Sequence, residues 1–177
     1  EVELRCEPGA SGRSDEWLTA LMEYRRVIEV GLSGEVRYVA AQDAAKYRDA
    51  FGCAVPLGLP REFTEPAPRP LEELVGRYAR THGPFLVADV SRRFGAPIER
   101  IAGALAALEA EGRVVVGEFR PGGVSREHCD VDVLRQLRRR SLAALRREVA
   151  PVEQATFARF LGHWHGVGAD NRGLSAL

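Results

Sequence analysis

The chain has 177 residues, 45% of them hydrophobic and 28% charged, with 25 basic and 25 acidic side chains and no formal net charge. That length holds one ordinary domain or two or three small ones. Neutrality argues against a strongly basic DNA-binding protein, and no run of about 18 apolar residues exists to form a membrane-spanning helix. Three widely spaced cysteines, Cys6, Cys53 and Cys129, argue against a disulfide framework and fit a reducing cytoplasm.

The start, Glu1 to Cys6, has neither an initiator Met nor a signal-peptide layout, so it reads as part of something longer. Ser14 is placed as the N-cap of a first helix running to about Arg26, with Asp15 and Glu16 in its first turn. Trp17, Leu18, Leu21 and Met22 form its apolar stripe. Two β-rich runs, Val27–Leu32 and Val36–Ala40, meet at Ser33-Gly34 and predict a hairpin. A second helix from about Gln42 to Phe51 is stopped by Gly52. Residues 1–54 thus form a small helix-hairpin-helix module. It is too small for a full core and is open to reading as a degenerate winged helix or as part of a motor-side domain.

Residues 55–70 carry prolines at 56, 60, 66, 68 and 70 and read as a linker without helix or central strand. Residues 71–123 follow with sharper signals. Leu71–Thr81 is amphipathic, with Leu71, Leu74, Val75 and Tyr78 on one face, and His82-Gly83-Pro84 breaks it. Phe85-Leu86 can form a short strand, and Val87–Phe94 is a short helix ended by Gly95. Pro97 opens a helix to about Glu111 that buries Ile98, Ile101, Leu105 and Leu108. Val114–Phe119 is a strand and Pro121-Gly122-Gly123 a turn beyond it. Three helices followed by a strand and turn predict a winged helix-turn-helix. The fold class is therefore mainly α with short β-hairpins (α+β), a winged helix-turn-helix with flanking helical segments.

Residues 124–165 begin with a helix capped by Asp130 and running to Val149, before Pro151. At 100° per residue, Leu134, Leu137, Leu145 and Val149 share one arc. Arg135, Arg139 and Arg146 lie on the far side, Arg140 and Arg147 lie further round, and Arg138 falls in the apolar arc. A shorter helix, about Glu153–Leu161, presents Phe157, Phe160, Leu161 and Trp164 as core-facing. The tail 166–177 is Gly-rich and expected to be loose.

The chain carries no phosphate-binding loop for ATP, no Gly-x-Ser-x-Gly and no His-Glu-x-x-His. No catalytic or metal site is assigned, and His163-x-His165 and the adjacent His128-Cys129 are read as structural. The predicted recognition helix offers only Arg100 as a base-reading group near its N-terminus, so sequence-specific reading of the major groove is not expected. Basic groups exceed acidic ones 9 to 6 in residues 124–177, against 8 to 12 in residues 1–66. Any attraction to phosphate concentrates there, unless the arginine face is solvated or paired with acids of the first third. Of the 25 basic residues only Lys46 is a lysine, a bias that genome composition explains more readily than phosphate binding does.

Three stretches carry a family resemblance: Ala41–Gly52 (AQDAAKYRDAFG) with the Leu-Pro turn after it; Ala79–Phe85 (ARTHGPF) running through to Leu108–Arg113 (LEAEGR); and Cys129-Asp130 leading to Leu134–Glu148 (LRQLRRRSLAALRRE) and Pro151-Val152. In these the chain resembles the bacterial large helicase-related (Lhr) proteins, superfamily 2 DNA helicases with a long C-terminal extension. The resemblance implies a place in that extension, an array of winged helices ending in a β-barrel, similar to part of a family of alkylation-repair DNA glycosylases. No ATP-binding, ATP-hydrolysing or glycosylase residue carries over onto a position of this chain.

The expectation is a non-catalytic winged-helix fragment of an ATP-dependent, cytoplasmic DNA repair helicase. Its candidate phosphate contacts are Arg135, Arg139, Arg140, Arg146 and Arg147, with Arg92, Arg93, Arg100 and Arg113 around the winged helix. No cofactor is expected in the chain itself; ATP and Mg belong to the parent's motor. Expected partners are DNA through its phosphates, other domains of the same helicase chain and a possible homo-oligomer, with no membrane contact. The rival expectation is a protein–protein or oligomerisation module without DNA contact.

Overall fold

A computed structural model describes residues 11–123, 125–149 and 151–166. They form two compact units, one reaching Arg135 and one beginning at Gln136. The first unit opens with α1 (Ser11–Glu23), which starts a turn earlier than Ser14 would have capped it. Ser14 lies inside the helix and is buried, so it packs where it was expected to cap. Strands β1 (Val27–Leu32) and β2 (Glu35–Ala40) pair antiparallel with Leu32 opposite Glu35. Ser33 (φ 56°) and Gly34 (φ 78°) then form a two-residue turn with both central residues left-handed, the type whose twist suits a hairpin.

A 3-10 turn (Ala41–Asp43) leads into α2 (Ala44–Phe51), and Gly52 closes that helix at φ 71°. The proline-rich segment is not wholly irregular. One helical turn, α3 (Arg61–Thr64), fits between Pro60 and Pro66, because a proline ahead of a helix costs it no internal hydrogen bond. The segment is tied to α2: Arg48 donates to the Thr64 carbonyl at 2.8 Å, and the Ala67 amide donates to Asp49 at 2.9 Å.

The winged helix follows as α4 (Pro70–Thr81), α5 (Val87–Phe94), α6 (Ile98–Ala110), β3 (Val114–Gly117) and β4 (Glu127–Asp130). Phe85 exchanges both backbone hydrogen bonds with His128 at 3.0 and 2.8 Å, adding a third strand position to the wing. This order of helix, short strand, two helices and hairpin is that of a winged helix. The hairpin's second strand lies past Gly123, where the winged helix was expected to end, because Glu127-His128-Cys129-Asp130 lacks the apolar alternation that signals a strand. Ile98 is also half exposed, at the rim of the helix it was expected to anchor.

One hydrophobic core joins the two parts of this unit. Ile28, Val30 and Leu32 of β1 and Ala44 and Ala50 of α2 belong to the same cluster as Leu74, Val75, Val90, Ile101, Leu105 and Leu108. The helix-hairpin-helix module solves its shortage of core by sharing one.

Asp130 caps α7 (Val131–Glu148) as expected, its carboxylate accepting from the amides of Asp132 (2.9 Å) and Val133 (3.2 Å). The second unit contains the rest of α7 and α8 (Gln154–Trp164), and neither helix has a buried residue. Phe157 (49%), Phe160 (54%) and Trp164 (73%) are exposed where helical spacing marked them as core-facing. Spacing identifies an apolar face, whereas burial needs an element to cover it, and none does so among the described residues. The expected loose tail from residue 167 lies outside the described residues.

Candidate nucleic-acid interface

In a winged helix the second helix of the helix-turn-helix presents its N-terminal residues to base edges. Here that end of α6 is occupied. Arg100 Nη2 donates to the Ala50 carbonyl at 2.8 Å, so the one base-reading candidate is spent on the C-terminus of α2. The turn between α5 and α6 is held by Ser91, whose hydroxyl donates to the Ala96 carbonyl at 2.7 Å. The β1–β2 turn seats against it: a Cβ added at Gly95 (φ 61°) would lie 1.3 Å from Ser33 Oγ and 2.7 Å from Ser33 Cβ. Both glycine's conformational freedom and its small size are required there.

An ion network around the buried Asp43 ties the start of α2 to α4. Asp43 accepts from Arg77 Nη1 at 2.5 Å and Nη2 at 2.9 Å, and Lys46 sits 3.2 Å from Asp43 and 2.8 Å from Glu73. Burial pushes the Asp43 carboxyl up, but hydrogen bonding and charge from Arg77, then Lys46, outweigh it and hold the group below its ordinary value. The Glu73 hydrogen bond in turn raises Lys46. Sequence reasoning missed these partners because Asp43 and Arg77 stand 34 residues apart and no local pattern links them.

The other arginines around the winged helix differ in availability. Arg92 is 78% exposed, with only Asp89 of its own helix nearby at 3.6 Å. Arg93 is half-buried beside Tyr47 and Phe94 and is engaged within the fold. Arg113 lies 3.4 Å from Glu111 and stacks over Gly76, where an added Cβ would meet its Nη2 at 2.7 Å. The wing loop is held by Glu127, buried to 2%, which accepts from the amides of Phe119 and Arg120 and pairs with the Arg120 side chain. The sequence reading passed over Arg120 and Arg126; the second strand, which makes their segment a wing, was its missing signal.

On α7 the arginine face is open. From Arg135 onward every described residue of the helix is exposed. Arg135 pairs with Asp132 and Arg147 donates to the Ala143 carbonyl at 3.4 Å, both within the helix. Arg138, Arg139, Arg140 and Arg146 make no side-chain hydrogen bond or ion pair among the described residues. Arg135, Arg139 and Arg146 share one helix face over about 16 Å of axis.

Comparison with known proteins finds sequence likeness to one family. Residues 1–66 match the profile described as "Large helicase-related protein, winged-helix domain". The chain is 42% identical over 171 residues to "Lhr helicase/ probable uracil glycosylase" of Mycolicibacterium smegmatis, covering 97% of this chain and 11% of that protein. It is 32% identical over 169 residues to "Lhr helicase/uracil glycosylase" of Escherichia coli, covering 96% of this chain and again 11% of that protein. The chain thus spans about a tenth of the length of these curated relatives. A crystal structure from Mycobacterium tuberculosis aligns over 92% of this chain and 96% of its own at a TM-score of 0.34 and 15% identity, a likeness too low to bear on the fold. The winged-helix profile falls on the helix-hairpin-helix module, and the α4–β4 arrangement beside it has winged-helix topology in its own right. Over nearly all its length the chain matches one segment of the large helicase-related (Lhr) proteins, and residues 1–66 match their winged-helix domain.

Proposed function

We propose that this segment is a non-catalytic winged-helix part of an ATP-dependent DNA repair helicase that holds neighbouring domains in register and makes sequence-independent contacts to DNA, above all to its phosphates. The observation that carries this reading is the division of labour among its arginines. Arg100, the base-reading candidate, is spent within the fold, while Arg138, Arg139, Arg140 and Arg146 stand exposed without acidic partners among the described residues. Unpaired arginines along a helix suit phosphate contact, which is independent of sequence and weakened by salt. Chemistry with ATP and Mg, and any chemistry on bases, belongs to other parts of the parent protein in this reading, and its setting is the cytoplasm.

The test is binding to single- and double-stranded DNA at several salt concentrations. The binding constant is expected to fall with salt, with a log–log slope of about −0.9 for each duplex phosphate neutralised. Arg139→Glu with Arg146→Glu is expected to abolish binding to double-stranded DNA at about 50 mM salt and leave stability unchanged. Absence of wild-type binding at that salt, or a binding constant indifferent to salt, refutes the reading.

A second reading, an interaction module without DNA contact, is favoured by the exposed stripe of Phe157, Phe160 and Trp164 on α8. It expects the arginine variant to change oligomeric state instead, which sedimentation measures.

A further inference from the structure

A cleft of about 720 Å³ lies at the base of the β1–β2 hairpin, away from α6 and the wing. Tyr24, Arg25 and Arg26 form one wall, Gln42 another, and Gly58 and Phe63 of the proline-rich segment close it. Local backbone geometry puts the two arginines there. After α1 ends at Glu23, Arg25 adopts φ 51°, and the amides of Arg25 and Arg26 close onto the carbonyls of Met22 and Leu21 at 2.9 and 2.8 Å. The turned-out Arg25 guanidinium donates to the Gly58 carbonyl. Gly58 sits at φ 78°, a backbone conformation that favours glycine, and an added Cβ there would lie 2.8 Å from Arg25 Nη1. Arg25 is thereby pinned at the rim with further N–H groups to offer, and Arg26 has no ion-pair partner among the described residues.

Chemistry rather than volume identifies the occupant. Among the described residues no Asp or Glu lines the cleft; Glu23, Asp43 and Glu62 stand next to its residues in sequence but outside its walls. One pinned cation and a second exposed one beside it favour an anion. The Tyr24 ring is 77% exposed beside them, and Phe63 offers a second aromatic surface. Gln42 adds an amide that both donates and accepts. Cations that follow a backbone, joined to aromatic faces, are the composition of sites for single-stranded nucleic acid, where stacking tolerates any base.

We propose that this cleft binds nucleotide units of an extended single strand, with phosphate on Arg25 and Arg26 and a base on Tyr24. The proposal rests on the reading that the chain meets nucleic acid, but it uses none of the α7 arginines.

The experiment is a titration of the 177-residue chain with a deoxythymidine decamer, thymidine monophosphate and inorganic phosphate at about 50 mM salt, followed by backbone amide NMR. The decamer is expected to move the amides of Arg25, Arg26, Gln42 and Gly58, and to bind there more tightly than the mononucleotide. Tyr24→Ala, at an exposed position, is expected to weaken the decamer at this cleft about tenfold while leaving inorganic phosphate unaffected. Arg26→Gln is expected to weaken both. In Arg139→Glu with Arg146→Glu the cleft shifts are expected to persist. Cleft amides unmoved by the decamer while α7 amides shift would overturn this proposal and leave the phosphate-track reading standing. Mononucleotide binding as tight as the decamer would reassign the site to a free nucleotide, and indifference to Tyr24→Ala would remove the base from it.

Discussion

The seating of Ser33 against Gly95 makes a quantitative prediction. Gly95→Ala places a Cβ at φ 61°, where a side chain costs about 1–2 kcal/mol. The new Cβ also lies 1.3 Å from Ser33 Oγ and 2.7 Å from Ser33 Cβ, so rotating the hydroxyl away does not relieve it and backbone must shift. Overpacking of this kind adds about 1–3 kcal/mol, for a total of about 2–5 kcal/mol. Ser33→Gly alone is expected to be nearly neutral, because relief of the left-handed strain at φ 56° is offset by the flexibility of glycine in the unfolded chain. In the double variant the two closest atoms are gone and the nearest remaining contact is Ser33 Cα at 3.3 Å, so only the dihedral penalty of Gly95→Ala survives. The double variant should therefore be more stable than the sum of the singles by about 1–3 kcal/mol. Urea unfolding of all four proteins by circular dichroism measures this. Additivity within about 0.5 kcal/mol would mean that the hairpin turn does not sit on the helix-turn-helix turn, and the explanation for the idle recognition helix would fail.

Two further predictions concern buried charge. Asp43→Ala is expected to cost about 2 kcal/mol in urea unfolding. That is less than the loss of a fully enclosed pair, because Arg77 and Lys46, 46% and 26% exposed, can turn to water. Since Asp43 is held below its ordinary value of 3.8, its contribution is complete above that pH and is lost as pH falls through the lowered folded value; Asp43→Ala should flatten this part of the acid limb. His128 works in the other charge sense. Burial holds its imidazole below the ordinary 6.5, and its Nδ1 has no hydrogen-bond partner, so the unfolded chain takes the proton first. Stability should therefore decline as pH drops below 6.5, and His128→Phe, which keeps a ring over Phe85, should remove that decline in pH-dependent melting.

Local physical chemistry made much of the fold legible. Gly52 and Gly95 end helices because each sits left-handed at the cap, and Ser33-Gly34 turns the hairpin because both residues take positive φ. Asp130 caps α7 through its own side chain. Each of these is a transaction between residues a few positions apart, so sequence alone determined them, together with the winged-helix order and the arginine face of α7. Tertiary structure decided what depends on partners far along the chain. It set β4 opposite β3, Asp43 against Arg77, Arg100 on the Ala50 carbonyl and Ser33 on Gly95. It also left the aromatic stripe of α8 exposed where spacing alone predicted burial. The reason is physical: helical periodicity and turn chemistry are encoded by neighbours, whereas burial and ion pairing exist only once distant segments share a surface. The recognition helix shows the difference. Its residues made it a poor reader of bases, and only packing revealed that its one candidate was already engaged.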